Sequence, residues 1–287
     1  MKASGNVLAT MSLVTLAAAA LTASSLSALS AEYRIYTGNP VENGAVRGMK
    51  AAIDRIDKET GGDVQFKLFL GGQLQIQTND ITQSVSDDVL PVADDQSFTG
   101  TVPVGGILRL PGLIRTVDEY KKAHAIVRPY LEASYERYGV KVLGDFRFPP
   151  IVVWGRQDDL TSLASLAGKK IRVGSEVIGA FVEKAGGSPM TIQFNETATA
   201  LDRGMVDGIA TAAGGGGWAL RDYLKSTYQI PLSYSNTHII ANDGFLESVG
   251  AENAEKVTRI FSEERLRRPS RLTKRKAKFS RRCRKAV

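Results

Sequence analysis

Arg172 is the residue of this chain best placed to do chemistry. It lies near the end of a short β-type run, Lys169-Lys170-Ile171-Arg172-Val173, just ahead of a helix start at Ser175. A guanidinium fork beside the free N–H groups of a helix N-terminus is suited to holding a carboxylate. Phe194 follows about one helix and one loop later and has two readings, a ring against a ligand or a ring in the core. Glu196 is read as structural, because a single acid without a partner makes a poor general acid–base pair. The apparatus of an enzyme is otherwise missing. The chain has two histidines far apart in sequence, one cysteine (Cys283) and no GxSxG pattern. Asp94 and Asp95 have no His or third acid at ligand spacing, so they are read as a solvated loop and neither as a metal site nor as a catalytic pair. No catalytic residue, metal or cofactor is expected.

The elements that must carry Arg172 follow from periodicity. Ile178, Phe181, Val182 and Ala185 fall on one helical face, and Gly186 supplies a stop. Asn195 is expected to cap a second helix with Ala198 and Leu201 inward, and Met205 to Ile209 is read as the next strand. This β-α-β-α-β alternation predicts a parallel sheet covered by helices, whose ligands sit outside the carboxyl ends of the strands. Upstream, Tyr33 to Tyr36 alternates as a strand, and Thr37 to Pro40 makes a turn. Asn43 caps a helix with Val46, Met49, Ile53 and Ile56 inward, and Val64 to Leu70 is a second strand. Asn39 either faces a cleft or serves turn chemistry alone. Residues 71–115 are the least regular; a strand near Leu90 to Ala93 leads to Gln96 and Phe98, which could line the cleft. Thr116-x-x-Glu119 is a capping box opening a long helix to Tyr138 with a kink at Pro129. Gly214 to Gly217 lacks the Lys-Ser/Thr of a triphosphate loop and is read as a flexible wall, with Trp218 able to cover an apolar part of a ligand.

"LAGKKIRV" followed by "GGSPMTIQFNETATALDRGMVDG" resembles the signature of the solute-binding proteins of tripartite ATP-independent periplasmic (TRAP) transporters, the DctP-like family. The match is carried by Gly168, Lys170, Ile171, Arg172, Phe194, Glu196, Ala200, Leu201, Gly204, Val206, Asp207 and Gly208. The resemblance implies an α/β, two-lobed periplasmic binding protein fold of type II-like form, each lobe a sheet flanked by helices, with the ligand between them. It implies lobe I over 31–153 with 243–264 returning to it, and lobe II over 154–242. It also implies a ligand-facing arginine in the strand before Arg172; Arg156 fits by pattern, its other reading being a surface arginine. Relatives carry a ligand-touching Asn where this chain has Thr211, which points away from sialic acid and simple C4-dicarboxylates. The implied activity is capture of a small organic acid for ion-gradient-driven uptake, with the small and large membrane subunits of the transporter as partners and no nucleic acid. The competing reading is a periplasmic lyase or hydrolase acting on a small carboxylate.

The two ends read differently from the middle. Lys2, the apolar run Val7 to Leu21 and Ala28-Leu29-Ser30 read as a cleavable signal peptide over 1–30, which places the mature protein in the periplasm. The chain has a net charge of +7, but residues 265–287 hold 12 Lys or Arg and no acid, so the remainder carries −5. The abrupt loss of acids after Glu264 reads as a reading-frame shift. A nucleic-acid or membrane tail is the rival reading, for which an exported binding protein has little use.

Overall fold

The computed structural model describes residues 32–264. The signal peptide and basic tail expected over 1–30 and 265–287 lie outside the described residues. Among those described, no helix is long and apolar enough to cross a membrane.

The first half alternates β1 (Glu32–Thr37), α1 (Gly44–Glu59), β2 (Gln65–Phe69), α2 (Ile81–Ser86) and β3 (Val92–Asp95). Asn43 caps α1 as expected, its side chain accepting from the Ala45 N–H. Then come α3 (Val117–Glu136) and β4 (Val140–Gly155). Both halves of the Thr116/Glu119 capping box are formed at the start of α3, and Gly139 takes φ 63° just past its end, a conformation that favours glycine. The second half runs through β5 (Lys170–Val173), α4 (Glu176–Lys184), β6 (Ser188–Thr191), α5 (Thr197–Asp202) and β7 (Gly208–Ala212). It continues through α6 (Gly216–Ala219) and β8 (Ser226–Asn242), and closes with α7 (Asp243–Ser248) and α8 (Ala251–Glu264).

All eight strands form one sheet in the order β2-β1-β3-β8-β4-β7-β5-β6. β1 pairs in parallel with β2 and β3, and β5 with β6 and β7, as the alternation requires. Between these parallel ends run β4 and β8, 16 and 17 residues long and antiparallel. At about 3.3 Å per residue each spans roughly 50 Å, so each serves both ends of the sheet. Pro149-Pro150, which reads as an interruption, sits in β4 at a register shift between Arg147 and Pro150, where the ladder needs no amide donor.

The apolar faces divide the same way. Ile35, Met49, Ile56, Val92, Val257 and Ile260 pack α1 and α8 on one side of the first half. Val153, Leu160, Ile171, Ile178 and Val182 pack α4 in the second, and Val152, Trp154, Leu201 and Ile209 pack α5. Arg55 ties α1 to α8 through Glu263 and Glu264, each at 2.9 Å.

Three local expectations need correction. Asn195 does not cap α5: residues Phe194–Glu196 form a 3-10 turn leading directly into it, so Glu196 occupies the cap position without a side-chain bond. β7 begins at Gly208 and not at Met205, which lies ahead of the strand and is half exposed. The glycine run is a tight wall, not a loose one. A Cβ at Gly217 would lie 2.7 Å from the Trp154 indole, and one at Gly216 would lie 2.9 Å from the Phe194 ring.

Candidate functional site

A cavity of about 390 Å³ lies between the two parallel ends of the sheet. One wall is built from β5, β7 and their following loops: Arg172, Gly174, Ser175, Phe194 and Thr211 line it. The other comes from the turns after β1 and β3 and from the 3-10 segment Pro103–Arg109: Asn39, Gln96 and Arg109 line it. The volume is at the small end for ligand sites.

Arg172 points into this cavity because it is the third residue of β5, where side chains alternate and the next turn opens α4. Its residue is only 7% exposed, and its Nε donates to the Ile192 carbonyl at 2.8 Å. Its guanidinium lies 5.6 Å from the Phe194 ring centroid. No carboxylate among the described residues pairs with it, and burial lowers its pKa to about 10. It therefore stays charged at neutral pH while carrying the desolvation cost of a lone ion. Four of its five N–H bonds have no protein acceptor, and the N-terminal turn of α4 at Ser175 adds backbone donors beside them. The arrangement suits an anion.

The opposite wall holds a second buried guanidinium that its sequence context does not reveal. Arg109 is 4% exposed. Its Nε donates to Asn236 Oδ1 at 3.2 Å, and its Nη2 donates to the carbonyls of Gln96, at 2.9 Å, and Asn236. Its Cζ lies 4.3 Å from the Phe98 ring centroid. Arg109 also lacks an ion-pair partner among the described residues, and burial lowers its pKa to about 10.

Behind this wall, Asp94 and Asp95 are fully buried; the solvated-loop reading fails. Asp94 accepts from Thr37 Oγ1 at 2.6 Å, from Asn39 Nδ2 at 3.0 Å and from the Thr237 hydroxyl. Asp95 Oδ2 accepts from Thr82 Oγ1 at 2.5 Å and from the Tyr135 hydroxyl at 3.2 Å, while Oδ1 has no partner. Desolvation raises both carboxyls, Asp95 to about 7. His238, also buried, is pushed well below its usual value by desolvation and by Arg109, so it is neutral. Among the described residues no group of acids, His or Cys could hold a metal ion.

Of the seven residues singled out from the sequence, five line the cavity: Arg172, Phe194, Thr211, Asn39 and Gln96. Asn39 spends both of its amide N–H groups inside the protein, on Thr37 and Asp94, and its Oδ1 accepts from Asn43. Gln96 is different, since its Nε2 is buried with no protein partner. Arg156 and Trp218 are not among the lining residues. Arg156 follows the end of β4; its backbone N–H donates to the Asp207 carbonyl at 2.8 Å, and a Cβ at Gly204 would lie 3.4 Å from its Nη2. Trp218 is covered by Arg221, whose Cζ lies 4.7 Å from the indole centroid. At the mouth, Thr78 Oγ1 donates to Gln193 Oε1 at 2.5 Å and Gln193 Nε2 donates to Gln77 Oε1 at 3.1 Å, joining the two walls directly.

A cleft between two sheet halves joined by two long strands, lined by an unpaired guanidinium, defines a small-molecule binding fold. The model of the DctP family, described as bacterial extracellular solute-binding protein, family 7, matches residues 38–265, and the chain belongs to that family. It is 27% identical to the YiiZ protein of Salmonella typhimurium over 162 residues, 54% of this chain and 48% of that protein. The chain spans about half the length of the curated relatives it matches. Among solved structures, DctP6 of Bordetella pertussis, an extracytoplasmic solute receptor binding pyroglutamic acid, superposes with a TM-score of 0.80 at 19% identity, covering 89% of this chain and 85% of that one. A TRAP periplasmic solute-binding protein of Sulfitobacter sp. NAS-14.1 with bound β-D-galacturonate superposes with a TM-score of 0.78 at 15% identity, covering 89% and 87%. The fold is therefore the two-lobed α/β fold of these receptors.

Proposed function

We propose that this protein is the extracytoplasmic receptor of a TRAP transporter and captures a small organic carboxylate. The observation that carries the reading is Arg172, a buried, charged and unpaired guanidinium facing a cavity of about 390 Å³. A carboxylate there would satisfy the fork in bidentate fashion and cancel the buried charge. Phe194 would pack on the ligand, and Thr211 and Gln96 would bond its polar edges. Arg156 and Trp218 stand outside this ligand set. Residues 31–153 with 243–264 would form one lobe and 154–242 the other, closing on the ligand about β4 and β8. Residues 1–30 would direct export to the periplasm. The loaded receptor would deliver its cargo to the small and large membrane subunits for uptake driven by an ion gradient. Bound pyroglutamate and galacturonate in the two structural neighbours fit the same ligand class. As a receptor site it should release its ligand unchanged.

A thermal-shift screen against small carboxylates tests this. A true ligand stabilises by RT ln(1 + [L]/Kd), about 2.7 kcal/mol at a hundredfold excess over Kd. Recovery of the ligand unaltered is expected, and turnover would favour the lyase or hydrolase reading instead. If the folded protein responds to no carboxylate, the receptor assignment fails.

A further inference from the structure

The wall opposite Arg172 is also built to receive a charge-rich group, and this extends the proposed function. Three of the five Arg109 N–H bonds are committed to Asn236 and to the Gln96 carbonyl. The two on Nη1 have no protein acceptor, and Nη1 is not among the buried atoms left unpaired, so it opens on the cavity. Gln96 lines the same cavity, while its amide nitrogen is buried against Gly38 without a protein partner. A desolvated guanidinium with no ion pair costs stability unless something meets it, and folded proteins leave few buried donors unmet. The neighbouring acids do not serve: neither Asp94 nor Asp95 comes within ion-pair distance, and the hydrogen bonds of Asp94 are taken by Thr37, Asn39 and Thr237.

We propose that Arg109 is a second anchor and that it sets specificity: the ligand is a two-pole acid. One pole is a carboxylate on Arg172. The other is an electron-rich oxygen (a second carboxylate, a lactam or keto carbonyl, or a sugar hydroxyl) that accepts from Arg109 Nη1. The anchors come from opposite walls, so a two-pole ligand bridges the cleft and favours closure, whereas a one-pole acid reaches one wall only. Arg109 also positions the 3-10 segment against β8, and the test must separate that role from recognition.

The test uses matched pairs that differ only in the second pole: pyroglutamate against cyclopentanecarboxylate, and succinate against butyrate. Calorimetric titration of the whole chain should show the two-pole member of at least one pair binding about a hundredfold tighter, as expected when a desolvated charged donor gains its acceptor. Arg109→Gln should collapse that ratio by about tenfold or more. Arg172→Lys should weaken both members and leave the ratio standing. Equal affinity for the two members of every pair in the wild-type protein overturns the proposal without any variant. A ratio untouched by Arg109→Gln in a folded variant overturns it as well, and then Arg109 only supports the turn. If Arg109→Gln melts out, Arg109→Lys, which keeps the charge but loses the fork, is read for the same ratio. No binding of any acid by folded wild-type protein removes this inference together with the receptor assignment; binding without pole selectivity removes this inference alone.

Discussion

Two buried arginines face one cavity, and the protein treats them in opposite ways. Arg172 gives one N–H to a carbonyl, and the rest of its fork has no protein acceptor. Arg109 gives three and keeps two. Both are desolvated, both lack an acid partner among the described residues, and both have pKa values lowered to about 10. The difference lies in what each does for the empty protein. Arg172 carries a desolvation cost that a bound carboxylate would relieve, whereas Arg109 holds β8 and the 3-10 segment together through Asn236. On the proposed function, recognition would combine a residue reserved for ligand with one shared between ligand and scaffold.

The largest expected effect follows from that contrast. Arg172→Met should weaken carboxylate binding by about 10²–10³-fold, the usual loss when one partner of a buried charge pair is removed. The same change should raise the unfolding free energy of the ligand-free protein, by about 1–2 kcal/mol, because a buried lone charge is replaced by an apolar chain of similar length. Denaturant melts with and without ligand give both numbers. A fall in ligand-free stability would mean that Arg172 has a structural partner and would erase the contrast.

The carboxyls behind Arg109 give a pH-dependent version of the comparison, since the wall around Arg172 has no such pair. Asp95 faces Asp94, Arg109, Tyr135 and Thr82, with neutral His238 close by. Its folded-state pKa of about 7 lies above the ordinary 3.8, so the fold holds this proton more tightly than the unfolded chain does. The stability it contributes is complete below pH 4 and is lost as pH rises through 7, by at most about 4 kcal/mol. Asp95→Asn should flatten that slope, with the largest gain over wild type above pH 8. Urea unfolding at pH 5 and pH 8 measures it. Parallel wild-type and variant curves would show that Asp95 is ionised in the fold.

How far the site could be read from sequence divides along the same line. The wall around Arg172 is local: strand, turn, helix start and the pattern through Gly208 are contiguous, and the order of β5, α4, β6, α5 and β7 came out as the periodicity requires. The other wall is assembled from distant pieces. Asp94 is satisfied by Thr37, Asn39 and Thr237, and Asp95 by Thr82 and Tyr135, so two adjacent acids that look solvated in sequence are buried by partners up to 143 residues away. Arg109 sits in a 3-10 segment with no periodicity to mark it. Arg156 shows the limit of pattern matching from the other side. It has the right residue type but falls just past the end of β4, beside Gly204, and outside the cavity lining.

The ligand-free role of Arg109 gives the next effect. Arg109→Met should destabilise the empty protein by about 2–3 kcal/mol, because Asn236 and the Gln96 carbonyl lose charged donors. The sign is opposite to that expected for Arg172→Met, and the same melts compare the two. If both variants stabilise the empty protein, the two guanidinia are equivalent and both are reserved for ligand.

The smallest effect is expected where the walls meet. Thr78, Gln193 and Gln77 bridge the mouth by two hydrogen bonds in partly exposed positions, so each contributes only about 1 kcal/mol or less. None of the three residues carries a charge. Gln193→Ala should therefore leave association almost unchanged and speed dissociation by about fivefold, because opening the cleft must precede release. Stopped-flow measurements with a bound carboxylate separate the two rates. An unchanged dissociation rate would mean that closure rests on the ligand alone, bridging Arg172 and Arg109. A slowed association rate would mean instead that Gln193 guides ligand into the cleft.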